Sequence, residues 1–181
     1  MIYACIKFLQ EWASPYTPAN FLLMGCASGA TLAAALAGTL APDLVRPYAF
    51  AAIILTAVAL AVRLASLLRN AALVHKSTLQ SAIGVRERSI RQVSQGFTAG
   101  AFNTKEFFHG RTFNQMQAVR FTFPLLAFVV PTVLLGLGID RGSLGLLACA
   151  FGVQYVGLMM ERWYFLADAQ HPQNLYYQRT A

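Results

Sequence analysis

The sequence contains little charge. Only 12% of its 181 residues are charged, whereas 57% are hydrophobic. A soluble domain usually carries about twice this share of charged residues, because water must wet its surface. The composition therefore argues against a soluble domain and favours a protein whose solvent is the lipid bilayer.

Cysteine is scarce and widely spaced. The chain has three cysteines, and none lies at the close spacing that is typical of zinc or iron–sulfur sites. We expect them to be small, buried, apolar residues, and we predict no metal site. They are Cys5, Cys26 and Cys149.

Histidine is also scarce. A membrane cytochrome of the b type needs paired histidines inside its spans, where they ligate haem iron from both faces. The histidines of this chain, His75, His109 and His171, all fall outside the apolar stretches. The sequence therefore predicts no haem in this chain.

Long apolar stretches dominate the rest of the chain. A hydrocarbon core about 30 Å thick needs about 20 helical residues, and four stretches approach or meet this length: Phe21–Leu40, Tyr48–Leu68, Phe121–Ile139 and Leu144–Met160. The predicted fold is all-α, a polytopic transmembrane helix bundle with four full spans. It forms a single membrane domain over residues 1–181, with a connecting segment at about residues 70–117.

The first residues suggest a fifth, partial helix. Met1–Leu9 is too short to cross a bilayer, and no small-residue cleavage site follows it. Met1–Trp12 instead resembles the end of a helix that begins upstream. We therefore expect a partial N-terminal helix and a chain that is part of a longer protein.

The basic residues predict the orientation. Eight Lys or Arg lie between Arg69 and Arg120 inclusive, whereas the two short loops offer only Arg46 and Arg141. The positive-inside rule then places the long segment and both chain ends in the cytoplasm, with the spans in the inner membrane. The rule also explains the net charge of +7 without nucleic acid, so no nucleic-acid partner is predicted.

Two spans carry features that bear on packing. Small residues at steps of four, Gly25, Gly29, Ala33 and Ala37, form a stripe in the first span and predict that this face packs inside the bundle. The third span contains two prolines, Pro124 and Pro131, which predict a bent helix because each removes a backbone donor.

Charged residues inside spans are candidates for function. Glu161 shares a helix face with Gln154 and Gly157, and a carboxylate at this depth is costly unless it is paired or near water. A plain interfacial anchor explains Glu161 equally well.

Arg63 is deep in the second span. Snorkelling to the interface is the favoured interpretation, and the alternative is a cation that faces a polar cavity or a neighbouring carboxylate such as Glu161.

The connecting segment is predicted to lie partly on the membrane surface. Leu79, Ile83, Ile90 and Val93 recur at roughly helical spacing beside basic residues, which indicates an amphipathic helix. Phenylalanines alternate with glycines further on, over residues 96–113. That stretch could dock a soluble subunit, cap a lipophilic substrate, or simply pack against the bundle.

Three motifs resemble a known family. They are Arg91-Gln-Val-Ser-Gln-Gly-Phe97, Gly100-Ala-Phe-Asn-Thr-Lys-Glu-Phe-Phe-His-Gly110, and the tail from Glu161-Arg-Trp-Tyr-Phe to Tyr177. With these in place, the chain resembles the dimethyl sulfoxide reductase anchor-subunit family over nearly its whole length. Members of that family have more helices, so the chain is similar to their C-terminal half.

The resemblance implies a function. Such a protein is a non-catalytic membrane anchor for a molybdopterin catalytic subunit and an iron–sulfur electron-transfer subunit, and it links them to the quinone pool without haem. Molybdopterin and the clusters would belong to the partner subunits only. Some relatives serve dimethyl sulfoxide reduction, and others anchor sulfite dehydrogenases. A cytoplasmic docking surface favours the sulfite type.

The matching motifs supply candidate residues for a quinone site, of which this chain could hold only a part. Glu161, His109 and His171 are the candidate proton carriers, and Arg162 is a candidate partner for charge. Histidines in exposed loops are, however, more often incidental. The competing functions are a small membrane transporter or channel subunit and a nonfunctional fragment.

Overall fold

The computed structural model of the chain describes residues 2–74, 76, 78–87, 89–90 and 113–169. Its α-helices, in chain order, are α1 (Ile2–Cys5), α2 (Tyr16–Leu40), α3 (Val45–Ala71), α4 (Leu79–Ile83), α5 (Phe113–Pro124), α6 (Val130–Arg141) and α7 (Leu144–Ala167). A 3₁₀ turn, Pro42–Leu44, joins α2 to α3. A π-helical turn, Leu125–Val129, joins α5 to α6.

The four-span fold prediction is confirmed. Within the described ranges, four helical stretches are long and apolar enough to cross a membrane: Tyr16–Leu40, Pro42–Ala71, Asn114–Arg141 and Leu144–Ala167. Each is longer than its predicted counterpart, because helices continue past the apolar core into the interface. We call the end where α2 and α5 begin and α3 and α7 end the near end, and the opposite end the far end.

Alanine determines how closely the helices pack toward the far end. Ala34 of α2 lies against Ala49 and Ala52 of α3, and all three are fully buried. Small side chains let two backbones approach closely, which favours association inside a membrane. Leu135 and Leu147 fill the remaining space from α6 and α7.

The irregularity that the prolines predict takes the form of the π-helical turn. Val130 donates its N–H to the carbonyl of Leu125, five residues back. Pro131 has no N–H, and in a regular helix its ring would meet the carbonyl four residues earlier, that of Ala127. Widening the preceding turn relieves this conflict.

Helix α7 packs directly on the widened turn. A Cβ atom at Gly157 would lie 2.5 Å from the carbonyl carbon of Leu126 and 2.6 Å from Cα of Ala127. Neither backbone atom can move aside as the end of a flexible side chain could. Glycine is therefore required at 157 for this contact.

Two packing predictions were wrong. Gly25 and Gly29 of the small-residue stripe are exposed, and the buried face of α2 runs instead through Met24, Ala27, Thr31, Ala34 and Ala37. Ala37 alone belongs to both sets. The cysteines are exposed rather than buried.

The surface helix predicted in the connecting segment is shorter than expected. Thr78 and Ser81 cap α4 reciprocally, and the helix ends after one turn at Gly84, whose φ of 72° is left-handed. Ile90 therefore does not continue it. Val93, most of the phenylalanine-rich stretch and the motif residues 91–110 lie outside the described residues.

The predicted N-terminal helix is likewise reduced to the single turn of α1. Beyond Cys5 the chain turns repeatedly, with Leu9 N–H bonded to the carbonyl of Ile6 and Trp12 N–H bonded to that of Leu9. Leu9 and Trp12 are buried against Phe165 of α7. The N-terminal residues thus cover the near end of the bundle.

Candidate functional site

A buried ion-pair cluster lies toward the near end of the bundle. Glu161, on the last third of α7, is 0% exposed. Its Oε1 lies 2.8 Å from Nη2 of Arg63, in the geometry of an ion pair rather than of an aligned hydrogen bond. Its Oε2 accepts a hydrogen bond from Nε of the neighbouring Arg162 and forms an ion pair with Nη2 of the same side chain. One carboxylate therefore faces two guanidinium groups.

Arg63 does not snorkel. It is 3% exposed, so the favoured interpretation from the sequence was wrong and the alternative, a pair with Glu161, is confirmed. Its guanidinium also lies over the ring of Phe123, 5.6 Å from the centroid. The aromatic face offsets part of the cost of burying a cation. Its Nε has no hydrogen-bond partner among the described residues.

Arg162 lies in an aromatic setting. Its guanidinium carbon is 4.0 Å from the ring centroid of Phe21 and 5.2 Å from that of Phe165. Its Nη2 also contacts Sδ of Met24 at 3.5 Å. The side chain is 24% exposed, and no described residue accepts a hydrogen bond from its buried Nη1.

The N-terminal residues close the site at the near end. Trp12 donates from Nε1 to the carbonyl of Phe165 at 3.0 Å, and the two rings stack with centroids 5.3 Å apart. Tyr3 meets both rings edge-on. Arg69, at the end of α3, donates to the carbonyl of Gln10 at 3.1 Å. These contacts fix the aromatic residues beside Arg162.

A second polar pair extends the cluster toward the far end. Gln154 donates to the hydroxyl of Thr56 at 3.3 Å, and both side chains are buried. Oε1 of Gln154 has no hydrogen-bond partner within the described part of the chain. Gln154, Gly157 and Glu161 are all buried, so the prediction that they share one helix face is confirmed, and the structure shows that this face points inward.

Tyr164 and Asp168 continue the same face in the other direction. The phenol of Tyr164 is buried, its ring centroid is 5.5 Å from that of Phe123, and its hydroxyl donates to Oδ1 of Asp168 at 3.0 Å. Asp168 follows the last residue of α7 and is half-buried. The pair was not among the predicted site residues, although its spacing from Glu161, at i+3 and i+7, is visible in the sequence.

The cluster can bind a hydrogen-bond acceptor. Arg63 and Arg162 supply two positive charges against the single carboxylate of Glu161, and each keeps an N–H group unpaired within the described residues. A carbonyl or an anionic oxygen would satisfy those donors. Flat aromatic faces are present beside both guanidinium groups. No group of three or more possible metal ligands occurs in the described ranges.

The comparisons with known proteins agree with the fold. A family model described as DMSO reductase anchor subunit (DmsC) matches residues 1–178. The chain belongs to the DMSO reductase anchor subunit family. It is also 53% identical to a sulfite dehydrogenase subunit of Allochromatium vinosum, over 100% of this chain and 56% of that protein. The chain thus spans little more than half the length of this relative. No solved structure matches it.

Because the chain belongs to the DMSO reductase anchor subunit family and has four apolar helices, it is a multi-pass membrane protein. Of the four site residues predicted from the family motifs, the structure brings Glu161 and Arg162 together and adds Arg63. The other two, His109 and His171, lie outside the described residues. Their predicted roles stay predictions.

Proposed function

We propose that this chain is a membrane anchor subunit of an oxidoreductase complex, of the sulfite dehydrogenase type, that links the complex to the quinone pool. The identity of 53% to the sulfite dehydrogenase protein of Allochromatium vinosum carries this proposal. It favours an anchor over a small transporter or channel. This chain spans 56% of that relative, so the rest of a quinone site would lie in the part of the anchor that the chain does not cover.

The proposed partners are an iron–sulfur electron-transfer subunit and a molybdopterin catalytic subunit, which would hold the clusters and the molybdenum. The basic segment between α3 and α5 supports an orientation in the inner membrane with this segment and both chain ends in the cytoplasm. The near end of the bundle would then face these partners.

The Arg63–Glu161–Arg162 cluster is the proposed quinone-facing part of the chain. A quinone, when bound, accepts two electrons and two protons. Arg63 Nε and Arg162 Nη1 would donate hydrogen bonds to its carbonyl oxygen, and Phe21, Phe123 or Phe165 would offer an aromatic face. Glu161 would hold the two guanidinium groups in position. His109 and His171 remain candidate proton carriers.

Affinity purification of the tagged chain in mild detergent tests the complex. We expect molybdenum, iron and two soluble subunits to co-purify, and we expect the preparation to reduce a short-chain quinone with sulfite as the electron donor. A chain recovered alone from membranes that contain those subunits would overturn the proposal.

The quinone site is tested by Arg162→Gln. We expect KM for the short-chain quinone to rise by about tenfold or more, since a hydrogen bond from a charged donor is worth about 1.5–3 kcal/mol. Electron delivery to ferricyanide, which needs no quinone site, should not change. Arg141→Gln is the matched control, because Arg141 is exposed at the far end. Equal KM values in the two variants would contradict this placement of the site.

A further inference from the structure

A row of hydrogen-bonding side chains leads from the buried cluster to the helix end. Glu161, Tyr164 and Asp168 lie on one face of α7, at i, i+3 and i+7. With a rise of about 1.5 Å per residue, they span about 10 Å along the helix axis. Burial falls along the row: Glu161 and Tyr164 are buried, and Asp168 is half-buried.

We propose that Tyr164 and Asp168 relay protons between the aqueous phase at the near end and the Arg63–Glu161–Arg162 cluster. This inference rests on the proposed function, because it assigns a route for one of the two protons that a quinone takes up with two electrons from the iron–sulfur subunit. Within this chain, the proton passes only through the Tyr164 hydroxyl and the Asp168 carboxyl group.

The hydrogen bond supplies the relay geometry. The Tyr164 hydroxyl donates to Asp168 Oδ1 at 3.0 Å, a distance across which a proton can pass. Asp168 takes a proton from water and passes it to the phenolic oxygen, while the original phenolic proton passes to the quinone oxygen that Arg63 and Arg162 would hold. One proton enters and one leaves, and both side chains return to their starting states once the hydroxyl has rotated back.

Charged groups from three helices face Tyr164. Arg63 of α3 and Arg120 of α5 lie within electrostatic range of the phenol, together with Asp168. On α7 itself, Glu161 lies one turn before Tyr164, and it is held by Arg63 and Arg162.

A purely structural role for the Tyr164 hydroxyl is the competing explanation, because an i, i+4 bond also stabilises a helix end. The two explanations differ in proton-linked behaviour. A structural bond would affect the stability of the chain, whereas a relay would affect the rate of proton uptake and the hydrogen isotope effect in D₂O.

The test uses Tyr164→Phe and Asp168→Asn, with Tyr155→Phe as the matched control. Tyr155 lies on the same helix but is 52% exposed, and its ring contact is with Phe151. In the purified complex, we expect Tyr164→Phe to slow quinone reduction and indicator-detected proton uptake together, by about 10²-fold, the usual contribution of a positioned acid–base group. KM for quinone and the ferricyanide rate should not change. Asp168→Asn should slow the same two rates, and Asp168→Glu should keep most of the rate that Asp168→Asn loses.

An infrared measurement on the chain in nanodiscs provides a readout that needs no quinone. A stepwise change of pH should shift a carboxyl band and the ring C–O band of one tyrosine at the same time. That shift should vanish in Tyr164→Phe and Asp168→Asn and persist in Tyr155→Phe.

The outcomes separate the two proposals. Two results would overturn the relay alone. One is a tyrosine band that shifts in Asp168→Asn as it does in the wild type, and the other is equal rates for Tyr164→Phe and Tyr155→Phe in an active complex. A wild-type complex that contains all its subunits but reduces no quinone would overturn the proposed function, and the relay with it.

Discussion

Replacing Glu161 by glutamine should destabilise the bundle strongly, even though the two side chains have nearly the same shape. Glu161 is fully buried, and its carboxylate is the counter-charge of Arg63, which is 3% exposed. Removing one partner of a buried pair costs about 3–5 kcal/mol, because the other charge is left buried and uncompensated. Arg162 is partly exposed and adds less, so we expect about 3 kcal/mol.

The assay is reversible unfolding in mixed micelles with increasing SDS, followed by helical circular dichroism. Asp140→Asn is the matched control, because Asp140 lies outside the buried cluster, near the end of α6, and should change the free energy of unfolding by no more than about 0.5 kcal/mol. The double variant Arg63→Met/Glu161→Gln should lose at least about 1 kcal/mol less free energy of unfolding than the sum of the two single losses. Both charges of the pair are then absent, so neither is left buried without the other.

Two results would refute this reasoning. A loss for Glu161→Gln as small as that of the Asp140→Asn control would mean that water or lipid headgroups already solvate the cluster. Strict additivity of the Arg63→Met and Glu161→Gln losses would mean that the two side chains do not interact in the membrane, whatever their separation in the structure.

Two further predictions concern packing and exposure. Gly157→Ala should destabilise the chain by about 1–3 kcal/mol, since its Cβ would meet the backbone of the π-helical turn, whereas Gly152→Ala on the same helix has open space and should be nearly neutral. Thermal unfolding in detergent compares them, and equal midpoints would contradict the contact. In intact membranes a water-soluble maleimide should modify the exposed Cys5 but spare Cys26, which faces outward from the middle of α2, until the protein is denatured. Similar labelling rates would place α2 outside the bilayer.

Hydropathy was enough to predict the spans, because twenty or so apolar residues have few alternatives to a membrane helix. The spacing of Gln154 and Glu161 was enough to predict that they share one face of α7, but it left open whether Glu161 is buried in the bundle or lies at the interface. The prediction that the small-residue stripe of α2 is buried was wrong, and the cause lies in its composition. Glycine and alanine are apolar on every face, so the step-of-four pattern could not distinguish the buried Met24 side from the exposed Gly25 side.

The partner of Arg63 could not be deduced from its own position in the sequence. At that depth, snorkelling and internal pairing both satisfy a guanidinium group, and the choice depends on how α3 is rotated in the bundle. A rotation that turned Arg63 toward the lipid would also have exposed Ser66, which lies near it on the same face and is buried. The rotation is a property of the whole bundle.

A signal for the pairing nevertheless exists in the spacing of polar residues. Thr56 and Arg63 are seven residues apart on α3, and Gln154 and Glu161 are seven apart on α7. Both helices run from the far end to the near end, so equal spacing keeps both pairs in register, and the structure joins Thr56 to Gln154 and Arg63 to Glu161. The main packing partners of α7 are α2, α5, the π-helical turn and α6, and α3 is not among them. Polar side chains therefore connect α3 to α7 at these two points, beside the apolar contacts of Leu147 with the alanines of α3, and shortening them should weaken the connection before it disturbs the direct helix contacts.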